Sequence, residues 1–293
     1  MRTYLPTLGL LVLLVAGLGC ENNALDPAWK ITGPRIIALQ ADKQVFSPGD
    51  TVTFSVLLAG VSATERASIS VLWRLGNEVR ELAADRVARY EIPDENAAAD
   101  VDIFGTAAWS AYRTAGHVVV ELQATVRMND GTTLPARKSL LLAKRSVALQ
   151  YEAPLIDRIL VAVPGHSGLS LPAGETVRLP AGSPDTIAIE ATLADNTTPY
   201  GYRWYIENTL SDGDAEILSG GVDRTMKMKM PQLGATIVYL VVEDRSEGSL
   251  SKVFNGGIDA VSFFISYGTD DVDDADTLSS DETDTDQDQL LPD

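Results

Sequence analysis

Val118, Val120, Leu122, Ala124, Val126 and Met128 take every second position of one eleven-residue stretch. A helix repeats its apolar positions every three to four residues, so this spacing belongs to a strand with one face buried and one in water. The same alternation runs through Val52, Phe54, Val56 and Leu58, through Ile69, Val71, Trp73 and Leu75, and through Ile187, Ile189, Ala191 and Leu193. Tyr202, Trp204 and Ile206 repeat it, Thr236 to Val242 is apolar on both faces like a central strand, and Ser262 to Tyr267 would close the sheet. Long amphipathic helical patterns are missing. Many half-buried strands of this kind form antiparallel sheets, and the expected class is all-β.

The turns divide the chain. Asn129-Asp130-Gly131 follows the clearest strand, with residues that accept positive φ, and predicts a hairpin returning over Arg137 to Lys144. Glu152 to Asp157 reads as a domain boundary, after which the pattern restarts. Pro34-Arg35-Ile36-Ile37-Ala38 is echoed by Asp157-Arg158-Ile159-Leu160-Val161, Pro48-Gly49-Asp50-Thr51-Val52 by Ala173-Gly174-Glu175-Thr176-Val177, and Trp73-Arg74 by Arg203-Trp204. The spacing from Gly to Trp grows from 24 to 30 residues, with Pro180 to Asp185 as the insertion. Two copies of one β domain are expected, over 33–151 and 152–268. The least regular part is Ala83 to Gly116, where Pro93 to Ala99 has room for a helical turn.

An opening strand, a Pro-Gly-acidic-Thr-Val turn and a Trp on a third strand resemble the immunoglobulin-like domains of bacterial surface lipoproteins. Tyr202-Arg203-Trp204 is also similar to polycystic-kidney-disease-type (PKD) domains, although Tyr205-Ile206-Glu207-Asn208 stands where that family continues Asp-Phe-Gly-Asp-Gly. The resemblance implies two tandem immunoglobulin-like β-sandwiches, and adhesion, ligand display or spacing more often than catalysis.

Met1 and Arg2 precede an apolar run of 12 residues, Leu8 to Gly19, which is too short to span a bilayer. The run ends at Gly17-Leu18-Gly19-Cys20, and Cys20 is the only cysteine. This resembles a bacterial lipoprotein signal, departing from it at Gly17, where that family usually has Leu. The resemblance implies cleavage after residues 1–19, acylation of Cys20, and a membrane anchor through the N-terminal lipid. Glu21 at the next position implies an outer-membrane address in the cell envelope. Lipidation would also remove a lone thiol from an oxidising compartment, and two or more acyl chains anchor stably where one does not. Residues 20–32 read as a tether.

The net charge of −18 argues against nucleic acid as a partner and against basic-patch binding to anionic lipid. Residues 269–293 hold 11 acidic side chains and no Lys or Arg, the composition of a disordered, self-repelling tail. Within it, Asp284, Asp286 and Asp288 begin like a calcium loop, but Gln289 stands where the turn glycine belongs, so weak Ca²⁺ association is the most that this spacing supports.

Catalytic motifs are missing: G-x-S-x-G, H-E-x-x-H and Walker loops do not occur, and His117 and His166 stand outside any nucleophile pattern. An enzyme is not expected, with a hydrolase the least excluded kind. Met226-Lys227-Met228-Lys229-Met230 has thioethers that suit Cu(I), yet on a strand it reads as pliable core on one face and solvated Lys on the other. Trp73 and Trp204 read as sandwich core. Trp109 and Tyr112 lie in the irregular segment, where packing on the body is the expected role and stacking on a sugar or peptide the functional alternative. The expected function is a non-catalytic binding, adhesion or scaffold role with an unknown protein or glycan partner. The alternative is a glycan- or metal-binding envelope lipoprotein.

Overall fold

The computed structural model describes residues 28–267 apart from 84–86, 95–102, 150, 152–153, 166–167, 180–182, 195–198, 211–214, 232–234 and 246–256. Cys20, His166 and the acidic tail with Asp284, Asp286 and Asp288 lie outside the described residues. Among those described, no helix is long and apolar enough to cross a membrane.

The first half of the chain folds as a sandwich. Strands β1 (Arg35–Ala41), β3 (Thr51–Ala59) and β6 (Ala88–Glu91) form one sheet in the order β1-β3-β6. Strands β2 (Val45–Phe46), β4 (Ser70–Leu75), β5 (Glu78–Ala83), β7 (His117–Arg127) and β8 (Thr133–Ala143) form the other, in the order β2-β8-β7-β4-β5. The chain changes sheets early: β1 pairs antiparallel with β3, then β2 crosses over and pairs parallel with the last strand, β8. Inward-facing Phe46, Phe54, Trp73, Tyr90 and Leu122 fill the space between the sheets, with the Phe54 and Tyr90 rings 5.6 Å apart.

The second half repeats this plan. Strands β9 (Ile156–Ala162), β10 (Leu169–Pro172), β12 (Thr186–Leu193), β14 (Glu216–Ser219) and β15 (Thr225–Lys229) form a sheet in the order β10-β9-β12-β15-β14. Strands β11 (Val177–Leu179), β13 (Tyr200–Leu210), β16 (Ala235–Asp244) and β17 (Ile258–Tyr267) form the second, ordered β11-β17-β16-β13. Again the first strand pairs antiparallel with the next long one, β12, and a short strand, β11, pairs parallel with the last, β17. Two antiparallel sheets with this early sheet change and a core Trp on the third long strand make each half an immunoglobulin-like sandwich.

Three local readings are corrected. The hairpin return begins at Thr133, four residues before Arg137, because Met128 N–H bonds Thr132 O at 2.8 Å and Gly131 takes φ +85°, closing a tight turn. The echo of Pro48-Gly49-Asp50-Thr51-Val52 is misplaced: Gly174 precedes β11, whereas Gly49 precedes β3. The equivalent of Ser47-Pro48-Gly49-Asp50-Thr51-Val52 is Ser183-Pro184-Asp185-Thr186-Ile187, which leads into β12. The irregular segment carries an eleven-residue helix over Gly105–Ala115, while most of Pro93 to Ala99, where a helical turn is expected from the sequence, lies outside the described residues. Two short helices are α1 (Ala63–Arg66) and α3 (Arg145–Ala148), and the longer one is α2 (Gly105–Ala115).

The two sandwiches meet face to face. Thr236 to Val242 is apolar on both faces because Val238, Leu240 and Val242 enter the second core while Tyr239 and Val241 turn the other way, onto the first sandwich. The first sandwich answers with Ile37 and Ala38 on β1 and Leu57 and Ala59 on β3, all on the outer side of the β1-β3-β6 sheet. Polar side chains tie the same seam: Gln40 Nε2 donates to Ala260 O at 2.6 Å, and Gln44 Nε2 to Ile258 O at 3.2 Å.

Candidate functional site

One row of side chains across three strands sets the floor of a cleft. Glu207 on β13 lies opposite Ile237 on β16, which lies opposite Phe264 on β17. Phe263 and Ile265 point into the second core, so Phe264 must face outward by strand alternation, and it stays 46% exposed. The opposite wall comes from the first sandwich, where the chain leaves β3 at Gly60 and turns through Val61 and Ser62 into α1. Ile31, Thr32 and Gly33 close one end. The cleft is open to solvent and has a volume of about 820 Å³, within the range that holds small ligands or a short stretch of peptide or sugar.

Sequence chemistry explains why the wall stands there. Gly60 has φ +68°, and a Cβ at that position would come within 2.2 Å of Gly33 O. Only glycine lets the two backbone segments approach this closely. Ser62 and Glu65 form a capping box on α1: Glu65 N–H donates to Ser62 Oγ at 3.2 Å and Ser62 N–H to Glu65 Oε2 at 3.1 Å. Arg66, at the end of that turn, donates to Leu58 O at 3.3 Å and brings a guanidinium to the cleft.

Glu207 joins the two walls. Its Oε2 accepts from Gly60 N–H at 2.9 Å and from the Tyr239 hydroxyl at 2.5 Å. Burial and then this carboxylate push the Tyr239 hydroxyl well above the ordinary tyrosine range, so it stays a donor. The cleft therefore offers an apolar floor, an aromatic face, and acidic and basic groups at its rim. That suits recognition of a ligand with both polar and apolar parts.

Deeper in the seam sits a second polar group. Lys138 on β8 is 7% exposed, and its Nζ has no hydrogen-bond partner among the described residues. Burial pushes this ammonium down to about 8, against the pull of Asp259 and Glu243 of the second sandwich. Asp259 is pushed up by burial and held back by N–H donors from Ile156 at 2.7 Å and Ala260 at 2.8 Å.

Trp109 and Tyr112 lie on α2 and meet edge to face, with ring centroids 5.7 Å apart. Tyr112 is 2% exposed and belongs to the first core, and Trp109 is half-buried against it and against Phe104. The pair packs the helix on the sandwich, and of the two only Trp109 keeps exposed surface. Met226, Met228 and Met230 are buried in the second core, with Lys227 and Lys229 in water. His117 begins β7 on the surface. Among the described residues, no three His, Cys, Asp or Glu side chains converge to hold a metal ion. The cleft residues Glu207, Phe264 and Gly60 were not singled out by sequence. Phe264 had a usable signal, since a Phe on the outer phase of a strand needs a reason to be there.

No protein-family model and no curated protein matches the chain. Among solved structures it is similar to a nucleoside hydrolase-related hypothetical protein from Saccharophagus degradans associated with carbohydrate metabolism, at 16% identity and TM-score 0.26, over 39% of this chain and 26% of that one. It is similar to the PKD domain of human KIAA0319 at 16% identity and TM-score 0.24, over 40% of this chain and 88% of that domain. The D0-D1 domain of intimin aligns at 10% identity and TM-score 0.22, over 80% of this chain and 99% of that one. The chain thus spans about a quarter of the length of the first of these. At such scores these likenesses carry no argument, and the fold rests on strand order and register.

Proposed function

We propose that this chain is a non-catalytic binding protein of the cell envelope, anchored in the outer membrane through acyl chains on Cys20, which presents a ligand surface at the junction of its two sandwiches. The observation that carries the reading is the row Glu207–Ile237–Phe264, an exposed aromatic on an apolar floor facing a wall from the other domain. The fused sandwiches supply a firm support, and concave sites at domain junctions are common places for ligands. Eight residues separate Cys20 from Trp29, a reach of at most about 30 Å, so the anchor would hold the junction close to the bilayer.

The test is an array of glycans and peptides probed with the full chain and two variants. Binding that is lost in Phe264→Asp and kept in Trp109→Ala places the ligand in the cleft. The reverse pattern moves it to α2, and a blank array for the unmodified chain contradicts a role in binding ligands of these classes. Anchoring is tested separately by Cys20→Ala, which should shift the protein from the membrane fraction to the soluble one.

A further inference from the structure

The three residues Trp29, Lys30 and Ile31 do not run freely into the first sandwich. They lie along the edge of β13 in the second one, where Lys30 and Ile206 form an isolated parallel bridge. Ile206 N–H donates to Trp29 O at 2.9 Å, and Ile31 N–H donates to Ile206 O at 2.9 Å. The Trp29 ring packs against the second core. Ile31, 7% exposed, fills a slot between Ala59 and Tyr239 at the seam. Farther along the same edge, Trp204 N–H is taken by Gly221 O at 3.0 Å. The strap thus satisfies the backbone of one residue on an edge strand and fills two side-chain slots on either side of Lys30.

We propose that the β13 edge is a strand-recognition site for an extended segment of a partner protein carrying a large aromatic and an aliphatic residue two positions apart, and that Trp29–Ile31 occupies it in cis. Recognition would be strand addition: main-chain bonds to Ile206 hold the segment, and the two slots select its side chains. An edge strand left bare is a template for another strand, which is why the site needs an occupant. Among the described contacts, main-chain bonds to Ile206 and the Trp29 and Ile31 side chains hold the strap, the kind of contact that opens locally without unfolding the body. Its departure also takes Ile31, Thr32 and Gly33 from the end of the cleft, so the two sites would be coupled.

The linker geometry favours a partner's segment over the strap of a second copy. Only Thr32, Gly33 and Pro34 separate the strap from β1, about 10 Å of chain, and Gly33 O is packed against Gly60. Exchange between copies would have to press two junctions together.

The probe is a fluorescent nine-residue peptide with the sequence of residues 26–34, followed by anisotropy with the full chain and with the full chain bearing Trp29→Ala and Ile31→Ala. The peptide should bind the double variant at least tenfold more tightly than the unmodified chain, and a peptide with Ala at both positions should not bind. Equal binding to both proteins, or none to a folded double variant, overturns the proposal. Should the double variant fail to fold, the same peptide carrying a photocrosslinker in place of Trp29 is used on the unmodified chain. Crosslinks around Ile206 support the site, and scattered or absent crosslinks refute it. A concentration-dependent dimer of the unmodified chain, abolished in the double variant, would overturn the partner reading in favour of exchange between copies.

Discussion

Gly60 of the first sandwich donates its backbone N–H to Glu207 Oε2 of the second at 2.9 Å, and Tyr239 donates its hydroxyl to the same oxygen. One carboxylate therefore holds a turn of one domain and a tyrosine of the other. Glu207→Ala leaves a backbone donor and a buried hydroxyl without their acceptor, a loss of about 1–3 kcal/mol. Thermal unfolding should show a lower midpoint, while Glu216→Ala, on the exposed strand β14, should leave it near the original.

Gly60→Ala tests the same contact from the backbone side. At φ +68° a side chain is strained, and its Cβ would meet Gly33 O at 2.2 Å. The left-handed conformation alone costs about 1–2 kcal/mol, and the clash adds to it. The expected outcome in urea titration is a loss of at least about 2 kcal/mol, together with raised amide exchange at Ile31 and Ile206 as the strap is displaced.

Lys138 makes the seam pH-dependent in a definite direction. Its folded value of about 8 lies below the ordinary 10.5, so between these values the unfolded chain binds more protons than the folded one. Stability therefore rises with pH through this window, and the penalty of the buried charge, about 3 kcal/mol, is fully present below it. Lys138→Met should be more stable than the unmodified chain at pH 7, with the difference shrinking as pH approaches 10. A difference that stays constant with pH would refute the assignment.

The two core tryptophans separate packing from hydrogen bonding. Trp204 Nε1 donates to Asp223 O at 2.8 Å, whereas Trp73 Nε1 has no partner among the described residues. Trp204→Phe should therefore be more destabilising than Trp73→Phe, by about 1 kcal/mol, in parallel denaturant titrations.

The sandwich cores were legible because alternation is a local property: Val120, Leu122, Ala124 and Val126 report their inner face directly, as do Ile187 and Ile189. The seam was half legible. Tyr239 and Val241 break the alternation of their strand, which was visible as a run apolar on both faces, but what covers the second face is a long-range fact. Helix α2 escaped because its first turn has neither a capping side chain nor an acid. Its clearest marker is Gly116, which ends it at φ +77°. Gly174 imitates Gly49 although the equivalent turn is Ser183-Pro184-Asp185-Thr186, because a glycine-acid-Thr-Val run suits any turn before a strand. The strap could not be foreseen at all. Trp29-Lys30-Ile31 is too short for a periodic signal, and its partner, Ile206, lies in the other domain.

The two sandwiches form one body, joined at Gly60–Glu207, Gln40–Ala260 and the apolar seam between them. Residual dipolar couplings of backbone amides in the two domains measure this directly. A single alignment tensor should fit the couplings of both sandwiches together, as in the structure. Two tensors of different magnitude, one for each sandwich, would show independent motion and contradict a binding cleft built from both.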